Sequence, residues 1–323
     1  MIKVTRRWPL AISTLAFVVA ARQQGAPREV AITIDDLPVA SGLYESNVPA
    51  QSAVTARLIA AITRQKIPAI GFVNEGKLAP RDTVEKARVA LLKQWVDAGL
   101  ELGNHTNSHP DFFETSLRAY ERDVAAGDSV TRELLMAARR PEPEWFRHPF
   151  LSTGRDSATR ARFEQWLAER GYRVAPVTIN NDDYIFANAY ERLVARHDSA
   201  EMRRVAAAYI TYMNATTAYY ERLAQGLFGR DIRQILLIHA NVLNADHLDD
   251  LAAMFRARGY SFVSLSRAVE DSAYRSRNSY NGDLGLSWIH RWGMSMGKPR
   301  SFFAGAPAVP KDIVRLGSSK RGR

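Results

Sequence analysis

The sequence predicts an α/β protein in which parallel strands are joined by helices, and a barrel is favoured over an open sheet. Short apolar runs alternate with segments of helical spacing from Val30 to Asp271. Such alternation is typical of parallel strands with helical crossovers, and the number of repeats favours closure into a barrel. Unusual polar residues also recur where predicted strands end, and that end carries the active site in a β/α barrel.

The first strand begins at Val30, is rich in β-branched residues, and ends near Asp35 and Asp36 before Pro38. The remaining elements follow from the spacing of apolar residues. Further strands are predicted at 67–73, 100–103, 144–147, 172–178, 234–239 and 260–263, and helices at about 50–65, 83–98, 116–138, 156–170, 187–229, 246–258 and 264–271.

Composition argues against two classes of function. The formal charge of +10 divides into +4 for residues 1–29 and +6 for residues 298–323, which leaves residues 30–297 neutral. A neutral body argues against polyanion binding, so we expect no nucleic-acid partner. The absence of cysteine excludes disulfides and thiolate ligands, so a bound metal would need nitrogen and oxygen ligands.

The N-terminus is typical of an export signal. Lys3, Arg6 and Arg7 precede an apolar run from Trp8 to Ala21 that closes on small residues. The run is short compared with a membrane span of about 20 residues. We therefore expect a cleaved signal peptide and a periplasmic or secreted protein without a stable membrane span, with an uncleaved anchor as the alternative.

Two sets of polar residues point to a metal. Asp35 and Asp36 are like charges at the end of a buried strand, so they need a compensating cation or metal. His105 and His109 are four residues apart, and one helical turn would put both imidazoles on the same side. Alone, the histidine pair fits metal binding and a surface or capping role equally well. The nearby carboxylates favour the metal.

Five motifs, in chain order, resemble those of the polysaccharide deacetylase family, the chitin-deacetylase-like enzymes with NodB homology. They are Thr33-Ile-Asp-Asp36, His105-Thr-Asn-Ser-His109, Arg147-His-Pro-Phe150, Asn180-Asn-Asp-Asp183-Tyr184 and Leu237-Ile-His239. The resemblance implies a distorted (β/α) barrel with a helical insertion at about 187–229. It divides the chain into a signal peptide and linker (1–29), a catalytic domain (30–271), and a C-terminal extension (272–323) that is partly docked and ends in a loosely ordered basic tail.

The resemblance implies a metal site and a general base. Asp36, His105 and His109 would hold one divalent ion, zinc, for which cobalt or nickel would substitute. Asp35 would take a proton from the attacking water without binding the metal itself. Arg147 would pair with this base and orient it, and its charge would favour the ionised carboxylate.

The resemblance also implies a general acid and a substrate contact surface. His239 would protonate the leaving amine, and Asp183 would favour the protonated form of His239. The backbone N–H of Phe150 would stabilise the oxyanion. Pro149, Phe150 and Tyr184 would contact the substrate.

Two positions depart from the family pattern, in which the fourth motif reads Asp-x-x-Asp-Trp. Asn180 replaces the first acid, so either Asp182 or Asp183 can be aligned with the second, and we assign Asp183. Tyr184 replaces the tryptophan, which changes the pocket for the acetyl methyl group.

The function that the resemblance implies is an exported, metal-dependent hydrolase that removes N-acetyl groups from a chitin-like or peptidoglycan-like glycan. One alternative keeps the mechanism and changes the substrate to a small amide, imide or ureide. Another is a catalytically weakened carbohydrate-binding protein. A phosphatase with Asp35 as nucleophile is a fourth hypothesis, but no phosphate-binding loop supports it. The oligomeric state does not follow from the sequence.

Overall fold

The structure is a computed structural model that describes residues 28–80 and 83–318. Within these ranges the strands are β1 (Arg28–Leu37), β2 (Ile70–Val73), β3 (Glu101–Asn104), β4 (Trp145–Phe146), β5 (Arg173–Val174), β6 (Gln234–His239) and β7 (Tyr260–Phe262). The α-helices are α1 (Val48–Arg64), α2 (Lys86–Asp97), α3 (Leu117–Ala126), α4 (Ser129–Ala137), α5 (Ser157–Ala168), α6 (Asp183–Ala195), α7 (Ser199–Phe228), α8 (Val242–Ala257), α9 (Leu265–Val269), α10 (Trp288–Ser295) and α11 (Lys311–Ser318). Short 3₁₀ turns cover Glu75–Leu78, Pro149–Leu151, Ser272–Arg275 and Arg300–Phe303.

The strands form one parallel sheet in the order β5-β4-β3-β2-β1-β6, and β7 pairs with the first residues of β1. The chain beyond β5 then reaches the other edge, where Ile179 forms a parallel bridge with Leu236. Because one segment touches both β4 and β6, the sheet curls into a distorted barrel. The predicted fold class, α/β with a distorted (β/α) barrel, is confirmed.

The central strand β1 explains why the polar residues gather at one end of the barrel. Val30, Ile32 and Ile34 are buried, as expected for a strand covered on both faces by helices. Asp35 pairs in register with His239 of β6, and Asn104 at the end of β3 pairs with Phe146 of β4. Parallel pairing thus brings the strand ends, and the side chains that follow them, to the same edge.

The long helix predicted at 116–138 is wrong. The chain forms α3 and α4 with a break at Gly127, where a Cβ would lie 2.5 Å from the backbone carbon of Thr106. Only a residue without a side chain allows this close approach. The break therefore lets the end of α3 pack directly under the loop that carries His105 and His109.

The insertion predicted at 187–229 consists of α6 and α7, which pack against each other and against α8. A single helix is excluded because Arg196 to Asp198 form a turn between them. Helix α6 begins at Asp183 and borders the site, whereas α7 lies behind it. Residues 1–27, which contain the predicted signal peptide, lie outside the described residues.

The expected loosely ordered tail after Lys298 is also wrong for the part described, which ends at residue 318. A 3₁₀ turn at Arg300–Phe303 is followed by α11, which packs on α6 and buries Ile313. Its apolar side chains lie on one face of the helix, which the overall composition of the tail does not reveal. No helix among residues 28–80 and 83–318 has the length and apolar character to span a membrane.

Barrel closure gives a testable prediction at Thr178. Its Oγ1 accepts a buried hydrogen bond of 2.7 Å from the N–H of Ile235. Thr178→Val leaves that donor unpaired in the core, so we expect the free energy of unfolding to fall by about 1–3 kcal/mol. Urea denaturation measures this loss.

Thr55→Val is the matched control, because Thr55 is equally buried but its Oγ1 has no hydrogen-bond partner among the described residues. The same exchange there should leave stability unchanged or raise it. Equal destabilisation by the two variants would contradict the role assigned to Thr178.

Candidate active site

Three side chains converge beyond the ends of β1 and β3. Asp36 Oδ1 lies 3.5 Å from His109 Nε2 and 3.7 Å from His105 Nε2. One ligand atom from each residue falls within 4.8 Å of the others. Two ligand atoms that each lie about 2.0–2.1 Å from the same ion are separated from each other by distances of this size. The structure therefore brings the three predicted metal ligands together.

The backbone near these ligands has an unusual conformation. Asp36 has a φ of 70° and His109 a φ of 59°, which is the left-handed region that non-glycine residues rarely adopt. His105 and His109 do not share a helical turn, because they lie in a loop after β3. A hydrogen bond of 3.0 Å from the His109 N–H to Thr106 Oγ1 helps to fold that loop back.

The residues present fit a divalent metal. Asp36 Oδ1 is buried and has no hydrogen-bond partner among the described residues, and the Lys77 ammonium group lies 3.6 Å away, beyond hydrogen-bond distance. A buried carboxylate oxygen in this state has room for direct contact with a metal ion. His105 Nδ1 donates to the carbonyl of Arg147 at 2.7 Å, so the lone pair of Nε2 points towards Asp36. Burial lowers the pKa of both His105 and His109, which keeps the imidazoles in the neutral form that a metal requires.

Asp35 lies next to this group but has a different partner. Arg147, fully buried, donates from Nη1 to Asp35 Oδ2 at 3.4 Å and from Nη2 to Thr33 Oγ1 at 2.9 Å. Asp35 Oδ1 has no partner among the described residues. Burial raises the pKa of Asp35 to about 6, although the Arg147 guanidinium opposes the rise. A carboxylate with a pKa close to neutral is suited to accept a proton.

His239 is held by a buried polar network. Asp183 accepts from His239 Nδ1 at 2.7 Å and from the His239 N–H at 2.9 Å. Asn244 of α8 donates to the same carboxylate at 2.8 Å, and Tyr209 of α7 donates to Asn244 at 2.7 Å. Burial alone would lower the pKa of His239, but Asp183 raises it to about 9. Asp182, the alternative alignment, instead contacts the Tyr212 hydroxyl.

The expected substrate-contacting residues lie in different environments. Phe150 and Tyr184 are exposed, with 58% and 50% of their surfaces accessible, and both line the cavity at the site. The Phe150 ring packs edge-on against His109 with centroids 4.6 Å apart. Pro149 is buried and does not belong to the cavity lining found among the described residues, so its direct contact with substrate is not supported. It begins the short turn that presents Phe150.

The C-terminal extension supports this turn from outside the barrel. Phe150 and Leu151 have φ values of 55° and 52°, and a Cβ at Gly285 would lie only 2.0 Å from the Phe150 carbonyl oxygen. Arg291, fully buried, donates to the Leu151 carbonyl and to Thr153 Oγ1. Residues of the extension thus form part of the wall of the site.

The cavity has a volume of about 1050 Å³. Its walls come from the loop after β1, the turn after β2, the histidine loop and the first turns of α6; within the described chain, α7 contributes no lining residue. Small-molecule sites usually measure about 300–1,000 Å³. The helical insertion therefore lies beside the site, and only its first residues, Ala187 and Asn188, reach the cavity.

Sequence reasoning missed several residues of the site. Lys77 follows β2, so the rule that polar residues follow strand ends would have found it. Asn244, Tyr209, Gly285 and Arg291 lie on helices or in the extension, where nothing in the sequence pattern distinguishes them from packing residues.

The family model described as polysaccharide deacetylase matches residues 22–173, which confirms the resemblance seen in the motifs. The similarity to this family therefore holds for a segment that makes up slightly less than half of the chain. No curated protein sequence matches the chain.

Solved structures similar to this chain include three with low identity. The family 4 carbohydrate esterase from Streptomyces lividans, solved with acetate, has 18% identity, a TM-score of 0.44, and coverage of 75% of this chain and 97% of that one. The peptidoglycan deacetylase PdaC from Bacillus subtilis has 17% identity and a TM-score of 0.45, and the match covers 76% of this chain and 91% of that one. BA3943 from Bacillus anthracis, a CE4 family pseudoenzyme, has 15% identity and a TM-score of 0.48, and the match covers 75% of this chain and 66% of that one.

The ion pair between His239 and Asp183 predicts a pH dependence of stability. The pKa of His239 is raised from 6.5 to about 9 on folding, so its contribution is complete below pH 6.5 and is lost as the pH rises through 9. In protein treated with a chelator, we expect the free energy of unfolding to fall by up to about 3 kcal/mol across this window. Denaturation at a series of pH values measures the fall.

His239→Gln should remove this pH dependence. His290→Gln is the control: burial lowers the pKa of His290 to about 4, so His290 is neutral throughout the window. If the stability of His239→Gln protein still falls between pH 6.5 and 9, the assignment of this pH dependence to the His239–Asp183 ion pair is contradicted.

Proposed function

We propose that this protein is a metal-dependent hydrolase that removes N-acetyl groups from a glycan. The observation that carries the proposal is the meeting of Asp36, His105 and His109 around a buried carboxylate oxygen that accepts no hydrogen bond from the described residues. The donor set of one oxygen and two nitrogen atoms suits zinc, for which cobalt or nickel would substitute. A divalent ion bound there would polarise the acyl carbonyl and acidify water.

The chain's own residues supply the proton transfers of amide hydrolysis. Asp35 is placed beside the ligands but is held by Arg147, so its free oxygen is available to accept a proton from water. Water adds to the carbonyl carbon and its proton passes to Asp35. Arg147 keeps the base ionised at neutral pH and fixes its orientation, since removal of this cation would raise the pKa of Asp35 further.

His239 completes the reaction on the side of the leaving group. With Nδ1 bound to Asp183, Nε2 remains to donate a proton to the amide nitrogen as the carbon–nitrogen bond breaks. The products are acetate and a free amine. A pKa of about 9 keeps His239 protonated at neutral pH, as a general acid requires. The exposed Phe150 presents its backbone N–H to the developing oxyanion in this proposal.

The size of the cavity favours a glycan over a small amide, imide or ureide. Its volume of about 1050 Å³ lies at the upper end of the usual range for ligand sites, and two exposed aromatic rings, Phe150 and Tyr184, line it. Retention of a base, an acid and a complete ligand set argues against a weakened carbohydrate-binding protein. We also propose export, on the basis of the N-terminal signal pattern; N-terminal sequencing of exported protein would contradict cleavage near Ala21 if Met1 were intact.

The metal site is tested by analysis of the purified protein together with acetate release from N-acetylglucosamine oligomers. Wild-type protein should bind about one divalent ion. His105→Ala should lose the metal, because the two remaining ligands are too few for tight binding. Asp35→Asn should retain the metal and lose activity by a factor of at least about 100.

His197→Ala is the matched control for His105→Ala, because His197 is an exposed histidine in the turn after α6. Full metal content in His105→Ala protein would refute the ligand set. Hydrolysis by Asp35→Asn at the wild-type rate would refute the base.

A further inference from the structure

Lys77 places a positive charge at the mouth of the site. It belongs to the 3₁₀ turn after β2, lines the same cavity as His109 and Phe150, and its side chain is 33% exposed. Its Nζ donates to the carbonyl oxygen of Asp36 at 3.0 Å and lies 3.6 Å from Asp36 Oδ1. The proposed hydrolysis assigns no role to this ammonium group.

The turn that carries Lys77 is fixed on both sides. The N–H of Gly76 donates to the backbone carbonyl of Asn107 in the histidine loop at 3.0 Å. The carboxylate of Glu75 accepts from Thr131 N–H at 2.7 Å and from Val130 N–H at 3.1 Å, and so caps the first turn of α4. The backbone beneath Lys77 is therefore rigid, although its head group reaches the cavity.

The ammonium group of Lys77 keeps donors for another partner. It has three N–H donors, one of which serves the Asp36 carbonyl, and the distance of 3.6 Å to Oδ1 is longer than a hydrogen bond. If Oδ1 binds a metal, as proposed above, its attraction for Lys77 weakens further. At least one N–H donor of Lys77 is then available to a ligand in the cavity.

Two arginines near the site, Arg147 and Arg88, already have partners. Arg147 is fully buried behind Asp35. Arg88 donates to Glu85, to Gln51 and to the carbonyl of Glu45. Among the described residues that line the cavity, Lys77 is the basic side chain best placed to meet a ligand.

The charge balance of the site favours an anionic substrate. The cavity lining carries four carboxylates, those of Asp35, Asp36, Glu45 and Asp182, and three cationic groups, those of Lys77, Arg88 and protonated His239. Behind the lining, Arg147 and Asp183 add one charge of each sign. A bound divalent ion would leave the site with a net positive charge. A positive site adds little to the binding energy of a neutral N-acetyl sugar, whereas it attracts a substrate that carries a carboxylate.

We propose that Lys77 binds a carboxylate of the substrate, so that the preferred substrates are N-acyl compounds with a carboxylate close to the amide that is cleaved. Because Nζ lies 3.6 Å from an atom of the proposed metal site, the anion it binds must lie beside the acyl group and not at a distant subsite. An acidic N-acetylated amino sugar and an N-acetyl amino acid both meet this description. The inference rests on the proposed function for the position of the acyl group.

The first test compares turnover. The ratio of kcat/KM for N-acetylmuramic acid to kcat/KM for its carboxamide should exceed one in metal-loaded wild-type protein and fall about tenfold to a hundredfold in Lys77→Met. Lys77→Arg, which retains the charge, should keep most of the preference. N-acetyl amino acids and their amides, measured in the same way, identify which of the two carboxylate sources fits.

The second test does not depend on turnover. In metal-loaded Asp35→Asn protein, calorimetry should show that N-acetylmuramic acid binds more tightly than its carboxamide. In the double variant that also carries Lys77→Met, the two compounds should bind with equal affinity. Metal affinity, measured by competition with a chelator, should be equal or higher in Lys77→Met because a positive charge near the ion is removed.

The outcomes separate the two proposals. An unchanged acid-to-carboxamide ratio together with weaker metal binding in Lys77→Met would overturn the inference, and would show that Lys77 only supports Asp36. If wild-type protein hydrolyses no N-acyl compound, the proposed function fails, and the difference in binding still decides the role of Lys77.

Discussion

The site depends on how the chain leaves β1. In an extended strand, neighbouring side chains point to opposite faces, which would place one of the two aspartates among the surrounding helices. The left-handed conformation of Asp36 ends this alternation, so that both carboxylates reach the same edge of the barrel with different surroundings. Asp35 stays in the sheet beside Arg147, and Asp36 turns towards the histidines. Different environments for identical side chains are what allow different pKa values and different roles.

Much of the fold and of the chemical centre could be predicted from the sequence. Apolar periodicity identified the strands that carry Asp35 and His239, because buried parallel strands are nearly continuous apolar runs. The ends of those runs then located the polar residues. Motif order added Arg147 and Asp183, and the structure places both against the residues they were expected to contact.

What could not be predicted depends on contacts between distant parts of the chain. Gly127 resembles any helical glycine until the histidine loop is seen against it. The spacing of His105 and His109 does not reveal their conformation, because Thr106 and its neighbours fold as a loop whose shape is set by hydrogen bonds and not by apolar spacing. Tyr209 and Asn244 look like packing residues in sequence, and only the structure shows that they complete the hydrogen bonding of Asp183.

The position of Arg291 and Gly285 has a consequence for how the protein matures. The turn that presents Phe150 rests on residues that are synthesised more than 130 positions later. The side chains of Asp36, His105 and His109 all belong to the first 109 residues, so they are synthesised well before this wall. The wall that Gly285 and Arg291 support is therefore complete only after nearly the whole polypeptide has been made.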